Sequence, residues 1–176
     1  MVATWIPDLN EVLDLAPPFG LYAEPEISPG TIDYSPAYIL AWYMINELEI
    51  MSLPSASSDW PLFINALPDK STIKDSAGAI YDTSGTLDGR VLSTGEVVEH
   101  YGLQVKIRSR DYQTGWQKIR DIAASFSTVQ NIVVNIGDDD YRVWNISRTS
   151  PVVNLGIDER KRFQFTVNFL TTMSEV

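Results

Sequence analysis

The sequence predicts an α+β domain, and three stretches carry that prediction. Over 103–108, Leu103, Val105 and Ile107 alternate with Gln104, Lys106 and Arg108, the period of a strand with one buried face. Directly after Asp111 the period changes: Tyr112, Trp116, Ile119, Ala123 and Phe126 recur at spacings of four, three, four and three, one face of a helix. Near the C-terminus, Phe163, Phe165, Val167 and Phe169 alternate with Arg162, Gln164, Thr166 and Asn168, the most regular pattern in the chain. A strand that carries its apolar face straight into an amphipathic helix is the core of an α+β domain.

Taken in order, residues 1–35 read as an irregular, proline-rich, acidic arm and residues 36–176 as a single domain. Asp8 can cap a short helix over 9–15, which Pro17 and Pro18 end, while Pro25, Pro29 and Gly30 keep the next part extended or turning. Ser35 followed by Pro36 is a helix start, with a capping hydroxyl and a proline at the first helical position. This first helix is expected to run to about residue 51. It is apolar almost all round over 37–45, so either the sheet and the arm cover it from both sides, or one side meets a neighbouring subunit.

Short strands are expected at 62–66 and 78–81, with the turn-rich stretches 68–76 and 82–90 between and after them. A long strand follows over 97–108, with Gly102 as a candidate bulge. The amphipathic helix, capped by Asp111, extends to about Ser127. Residues 131–136 and 141–147 form a hairpin through Gly137-Asp138-Asp139-Asp140. Pro151 and Gly156 bound a loop before the last strand.

At 176 residues, 44% apolar and 20% charged, the chain has the material for one core and is globular in composition. Cysteine is absent, which excludes a disulfide framework, a thiolate nucleophile and a cysteine-based zinc site. The longest wholly apolar run is nine residues, 37–45, against the ~20 needed to cross a bilayer. The N-terminal stretch lacks the basic start of a signal peptide, so a soluble product made in the cytoplasm is expected. The net charge of −10 is unevenly placed: residues 1–69 hold ten acids and no Lys or Arg, and the remainder balances to zero. The first two-fifths of the chain therefore offers no DNA-gripping surface, because phosphate contacts need Lys and Arg.

The search for chemistry yields little. His100 is the only histidine, at the start of the long strand, and a lone histidine is more often structural than catalytic. Asp138-Asp139-Asp140 lacks the staggered ligands and distal glutamate of a calcium loop. Gly85, Gly89 and Gly95 form no phosphate-cradling motif. Five Trp and eight Tyr have no basic groove in which to stack bases. No catalytic residue, metal site or cofactor is predicted. One cluster remains: Arg108 and Arg110 at the strand–helix corner, with Asp158, Glu159, Arg160, Lys161 and Arg162 before the last strand. It is either a set of exposed ion pairs, each contributing ~0–1 kcal/mol, or a subunit interface set in register by charge.

Several pieces, read together, resemble the tail terminator, or minor capsid (neck), proteins of long-tailed bacteriophages. They are the early helix, FINALPD at 63–69, YDTSG at 81–85, LQVKIRSRDYQTGWQKIRDI at 103–122 and PVVNLGIDERKRFQFTVNF at 151–169. In that family a strand ending in arginine enters the helix through an acidic-aromatic step, here Arg108 to Asp111 and Tyr112. A segment with the spacing of Pro151, Gly156, Asp158, Glu159 and Arg162 then leads into the final strand. Lys161 departs from the small residue common there. The resemblance covers roughly residues 36–170, and residues 1–35 lie outside it.

The resemblance implies an antiparallel sheet of four or five strands packed by two main helices, and no enzymatic activity. It implies a virion protein that forms a hexameric ring at the head-proximal end of the tail, stops growth of the tail tube and meets the head-closure connector. Its partners would be its own copies, the tail tube protein and the connector, with genome DNA passing through unbound and no membrane involved. The acids Glu24, Glu26, Asp33, Glu47 and Glu49 would then either face the DNA channel or lie outside the ring, where their charge only gives solubility or meets a basic partner. Two other readings stand beside it: another neck protein, such as a head- or tail-completion factor, and a small acidic hydrolase using the carboxylates of the arm.

Overall fold

The structure is a computed structural model that describes residues 32–55, 57–90 and 97–176. The helix expected over 9–15, and Glu24 and Glu26, lie outside these residues. The first described helix, α1 (Pro36–Asn46), starts as the sequence predicts: Ser35 Oγ accepts from the Tyr38 N–H at 3.3 Å, and Pro36 occupies the first turn. It stops at Asn46, not near residue 51. The Leu48 N–H folds back on the Tyr43 carbonyl, those of Ile50 and Met51 on the Met44 carbonyl, and Glu49 takes a φ of 51°. These backward bonds satisfy the orphan carbonyls of the last turn and close the helix.

The strands β1 (Leu62–Ile64), β2 (Ala77–Arg90), β3 (Val97–Ser109), β4 (Gln130–Ile136), β5 (Asp139–Arg148), β6 (Val153–Ile157) and β7 (Phe163–Glu175) form one curled sheet, with α2 (Tyr112–Ser127) between β3 and β4. The sheet order is β1-β2-β3-β7-β5-β4, with β6 also beside β7. Among the described residues the fold is α+β with two helices, as expected, but the sheet is neither four- to five-stranded nor wholly antiparallel. It has seven strands, and β1 runs parallel to β2.

The extra extent comes from segments whose composition reads as turn or loop. β2 continues through Asp82–Thr83–Ser84–Gly85 to Arg90 because β3 pairs with it along its length, from Ala77 opposite Arg108 to Arg90 opposite Val97. Its side chains at 82–88 are exposed, which suits polar turn formers to a strand held only through its backbone. The bulge expected at Gly102 lies across from it, in β2 between Thr83 and Thr86. A Cβ on Gly102 would stand 2.2 Å from the Ser84 carbonyl oxygen, and one on Gly85 1.9 Å from that of His100, so the bulge needs glycine on both strands. Likewise β6 occupies the segment read as a loop between Pro151 and Gly156.

β7 organises the sheet. Along one side it pairs with β3 from Phe163 opposite Ser109 to Thr172 opposite His100. Its other side is shared, first by β6 and then by β5. The β3 register sets Ile107 against Phe165, Val105 against Val167 and Leu103 against Phe169, so the two apolar rows lie on one face. There they meet Ile119, Ile122 and Phe126 of α2 and Ile39, Leu40 and Met44 of α1 in a single core. Asp111 caps α2, its Oδ1 accepting from the Thr114 N–H at 2.7 Å. We expect Asp111→Ala to cost about 1 kcal/mol, read as a fall of about 3 °C in Tm by thermal denaturation. Among the described residues no helix is long and apolar enough to cross a membrane.

Candidate functional site

The opposite row of β3 and β7 points away from the helices. Gln104 faces Asn168, joined at 3.1 Å, and Arg108 faces Gln164. The loop between β1 and β2 lies over this end of the sheet and buries Arg108 to 2% exposure. Arg108 Nη1 donates to the Pro68 carbonyl at 2.7 Å and stands 3.9 Å from Asp69 Oδ1. Burial pushes the guanidinium pKa down, as does the neighbouring Arg162, and Asp69, Asp158 and Asp75 pull it back.

Arg162, just before β7, is equally buried and takes the centre of the cluster. Its Nε donates to Asp158 Oδ2 at 2.7 Å and its Nη2 to Asp69 Oδ1 at 2.7 Å, and Asp75 Oδ1 stands 3.6 Å from Nη1. Asp158 is the reciprocal hub. Its Oδ1 accepts the backbone N–H groups of Arg160 at 3.0 Å and Arg162 at 2.9 Å, closing a turn in which Lys161 takes a φ of 60°. Burial opposes ionisation of Asp158, but the hydrogen bonds from Arg162 and Arg160 outweigh it and hold the pKa down at about 2.

The periphery of the cluster is wet. Arg160 Nη1 stands 3.4 Å from Asp69 Oδ1, and Arg110 Nε pairs with Asp75 Oδ2 at 2.6 Å with most of its side chain in solvent. Glu159 is exposed and makes no ion pair with any described residue. A cleft of about 280 Å³ opens beside the cluster, lined by Leu67, Tyr81, Lys106, Arg108, Arg162 and Gln164 among others.

The charged residues singled out from the sequence, Lys161 in the turn among them, therefore come to one corner of the fold, but at two depths. Arg108, Arg162 and Asp158 tie the loop between β1 and β2 and the turn after β6 to the sheet, whereas Arg110, Glu159 and Arg160 remain at the surface. Sequence reasoning missed Asp69 and Asp75, the carboxylates that complete the network. They sit in a stretch that reads as a polar turn, and no local pattern distinguishes them from Asp138 or Asp139.

Of the acids considered for a channel, those among the described residues lie at opposite ends of α1. Asp33 precedes α1, while Glu47 and Glu49 follow it, and all three are exposed. The 11 residues of α1 separate the two ends by about 16 Å. His100 is structural in setting, with Nδ1 2.7 Å from Thr172 Oγ1 and Nε2 2.8 Å from Asp88 Oδ2. Among the described residues no group of three or more His, Asp or Glu is arranged to hold a metal ion.

No curated protein sequence matches the chain. Among solved structures, a chain described as "Virion of native gene transfer agent (GTA) particle" superposes with a TM-score of 0.44 at 5% identity, covering 64% of this chain and 78% of that one. The sequence profile of a family described as bacteriophage tail terminator protein matches residues 33–175, from just before α1 to the end of β7. With the match spanning both helices and all seven strands, the chain belongs to the bacteriophage tail terminator proteins, a structural rather than an enzymatic family of the virion.

Proposed function

We propose that this protein ends the phage tail tube: copies assemble in a hexameric ring on the head-proximal end, stop tube growth and present the surface that the head connector meets. The family match over residues 33–175 carries this reading. In it, Arg108, Arg162 and Asp158 keep the corner rigid, and Arg110, Glu159 and Arg160 are the members of the cluster left for a neighbour. Such rim charges set register and association rate more than affinity. Residues 1–35 act as an arm outside the ring-forming domain.

Glu47 and Glu49, exposed together after α1, are the described acids best placed to line a channel as a pair. Carboxylates there would repel DNA only within about 8 Å at physiological salt. The match to a structural family weighs against the hydrolase reading.

Tails made without this protein are expected to show tubes of irregular excess length, or finished tails that never join heads, in electron micrographs. Tails of normal length joined to filled heads would overturn the terminator reading. Normal-length tubes that fail only at joining would favour another neck role.

A further inference from the structure

The cleft beside the charged corner holds donors that find no acceptor among the described residues. Lys106 stands on β3 between two small residues, Ala79 of β2 and Thr166 of β7, which leave open space around its ammonium. Thr166 Oγ1 donates to the Val105 carbonyl at 3.0 Å and is not available to accept from the lysine's side of the cleft as a charged partner would. The half-buried Lys106 ammonium makes no ion pair or hydrogen bond with any described residue, and neither does the Tyr81 hydroxyl in the same lining. Arg108, also in the lining, is 2% exposed, and its Nε has no hydrogen-bond partner, which is uncommon for a buried donor. The carboxylates of the lining do not answer these groups: Asp69 and Asp158 are engaged by Arg162, and Glu159 is turned to solvent. At about 280 Å³ the cleft falls below the ~300–1,000 Å³ of a small-molecule pocket and has room for one or two acidic side chains.

The opposite end of the sheet carries acceptors without donors. β4 and β5 join through the two-residue turn Gly137-Asp138, in which Gly137 has a φ of 64°. Asp138 is exposed and Asp139 half-buried, and the exposed Glu175 ends β7 beside them. None of the three meets a cation among the described residues, whereas Asp140 accepts from Asn135 Nδ2 at 2.5 Å. Arg142, the cation nearest in sequence, instead lies over the Trp144 ring, 5.1 Å from its centroid. We infer that the cleft at Lys106 is a carboxylate-binding site for the β4–β5 turn of a second copy of the chain, with Asp138 and Asp139 reaching the Lys106 ammonium and the Tyr81 hydroxyl.

Topology selects the second copy. Lys106 pairs with Thr166 near the start of β7, while the turn lies beyond Tyr141, which pairs with Glu175 at the other end. From Thr166 to Glu175 is about 30 Å along the strand, and both positions are fixed by pairing in one sheet, so the turn cannot enter the cleft of its own chain. Two complementary surfaces at opposite ends of one chain make a head-to-tail contact, and such contacts generate a ring when the rotation between copies closes. A carboxylate entering the cleft also answers charge that the chain leaves open at both ends, which favours this register over others.

This inference rests on the self-association in the proposed function, and its test separates the two. In the full chain, one variant reverses the turn, Asp138→Lys with Asp139→Lys, and another reverses the cleft, Lys106→Glu. Sedimentation velocity reads the assembly of each alone and of an equimolar mixture, with circular dichroism as the check on folding. Each variant alone is expected to need about tenfold more protein than wild type to assemble, because like charges then meet at every contact. The mixture is expected to assemble within about threefold of wild type, since in an alternating ring each turn again finds a cleft of opposite sign. Should Lys106→Glu not fold, Lys106→Met keeps the stem without the charge, and the loss of assembly is read on it and on the turn variant. Folded variants that assemble as wild type does, or a mixture of the two reversed chains that recovers nothing, overturn this inference and leave the ring. A wild-type chain that stays monomeric at every concentration overturns both.

Discussion

Phe165→Ala is expected to lower stability by about 3–5 kcal/mol, the range for emptying a large aromatic from a packed core. The ring is fully buried, with its centroid 5.2 Å from that of Tyr112 and 5.9 Å from that of Trp116. Helix α2 presses so close that a Cβ added at Gly115 would stand 2.7 Å from the Phe165 ring, so the surroundings are held on both sides and collapse poorly into a void. Gln164→Ala, one residue away on the other face, removes only a 3.4 Å hydrogen bond to Asp158 and is expected to cost under about 1 kcal/mol. Urea denaturation of the two variants checks this. Equal losses would mean that the faces of β7 are assigned the wrong way round.

Asp158→Ala is expected to cost about 3–5 kcal/mol, because it leaves the buried Arg162 guanidinium with Asp69, itself more than half exposed, as its main partner. Replacing both members with apolar residues, Asp158→Leu with Arg162→Met, is expected to restore much of that loss, since the desolvation cost goes with the charges. The pH dependence has a definite sign. The folded-state pKa of Asp158, about 2, lies below its ordinary value of 3.8, so the pair stabilises the fold above about pH 4. That contribution is lost as pH falls from about 4 towards 2. Asp158→Asn should therefore flatten the acid limb of the stability profile measured by urea denaturation between about pH 5 and 2. An unchanged limb would mean that other carboxylates set it.

A consequence for assembly follows from burial. Charge reversal at Arg162 or Arg108 is expected to unfold this corner before it tests any interface, because each is only 2% exposed. Reversal at Arg110 or Arg160, which remain in solvent, tests the rim of the proposed ring without that confusion.

Where a residue's own neighbours decide its conformation, the sequence was enough. The cap at Asp111, the cap and proline that start α1, and the α2 stripe with its buried Ile119, Ala123 and Phe126 all follow from spacing and side-chain chemistry within a turn or two. The alternation along β3 and β7 likewise identified their inward rows, because a period of two on a half-buried strand leaves one assignment. The family resemblance rested on the order of these same segments, and the family match covers them.

What pairs with what was decided only by the tertiary structure. β2 over 82–88 and all of β6 look like turns because their side chains make no core, and they become strands because β3 and β7 satisfy their backbone groups. The same holds for the charged corner. Arg108 and Arg162 carry the residue types of a solvated surface, and nothing local marks them as buried. A loop 40 residues from Arg108 in sequence folds over the guanidinium, and Asp69 reaches Arg162 across 93 residues. Periodicity reports which face of an element is dry, but hydrogen-bond partners and ion-pair partners far apart in sequence leave no periodic trace, so the strand pairing and the depth of the charge cluster had to be read from the folded chain.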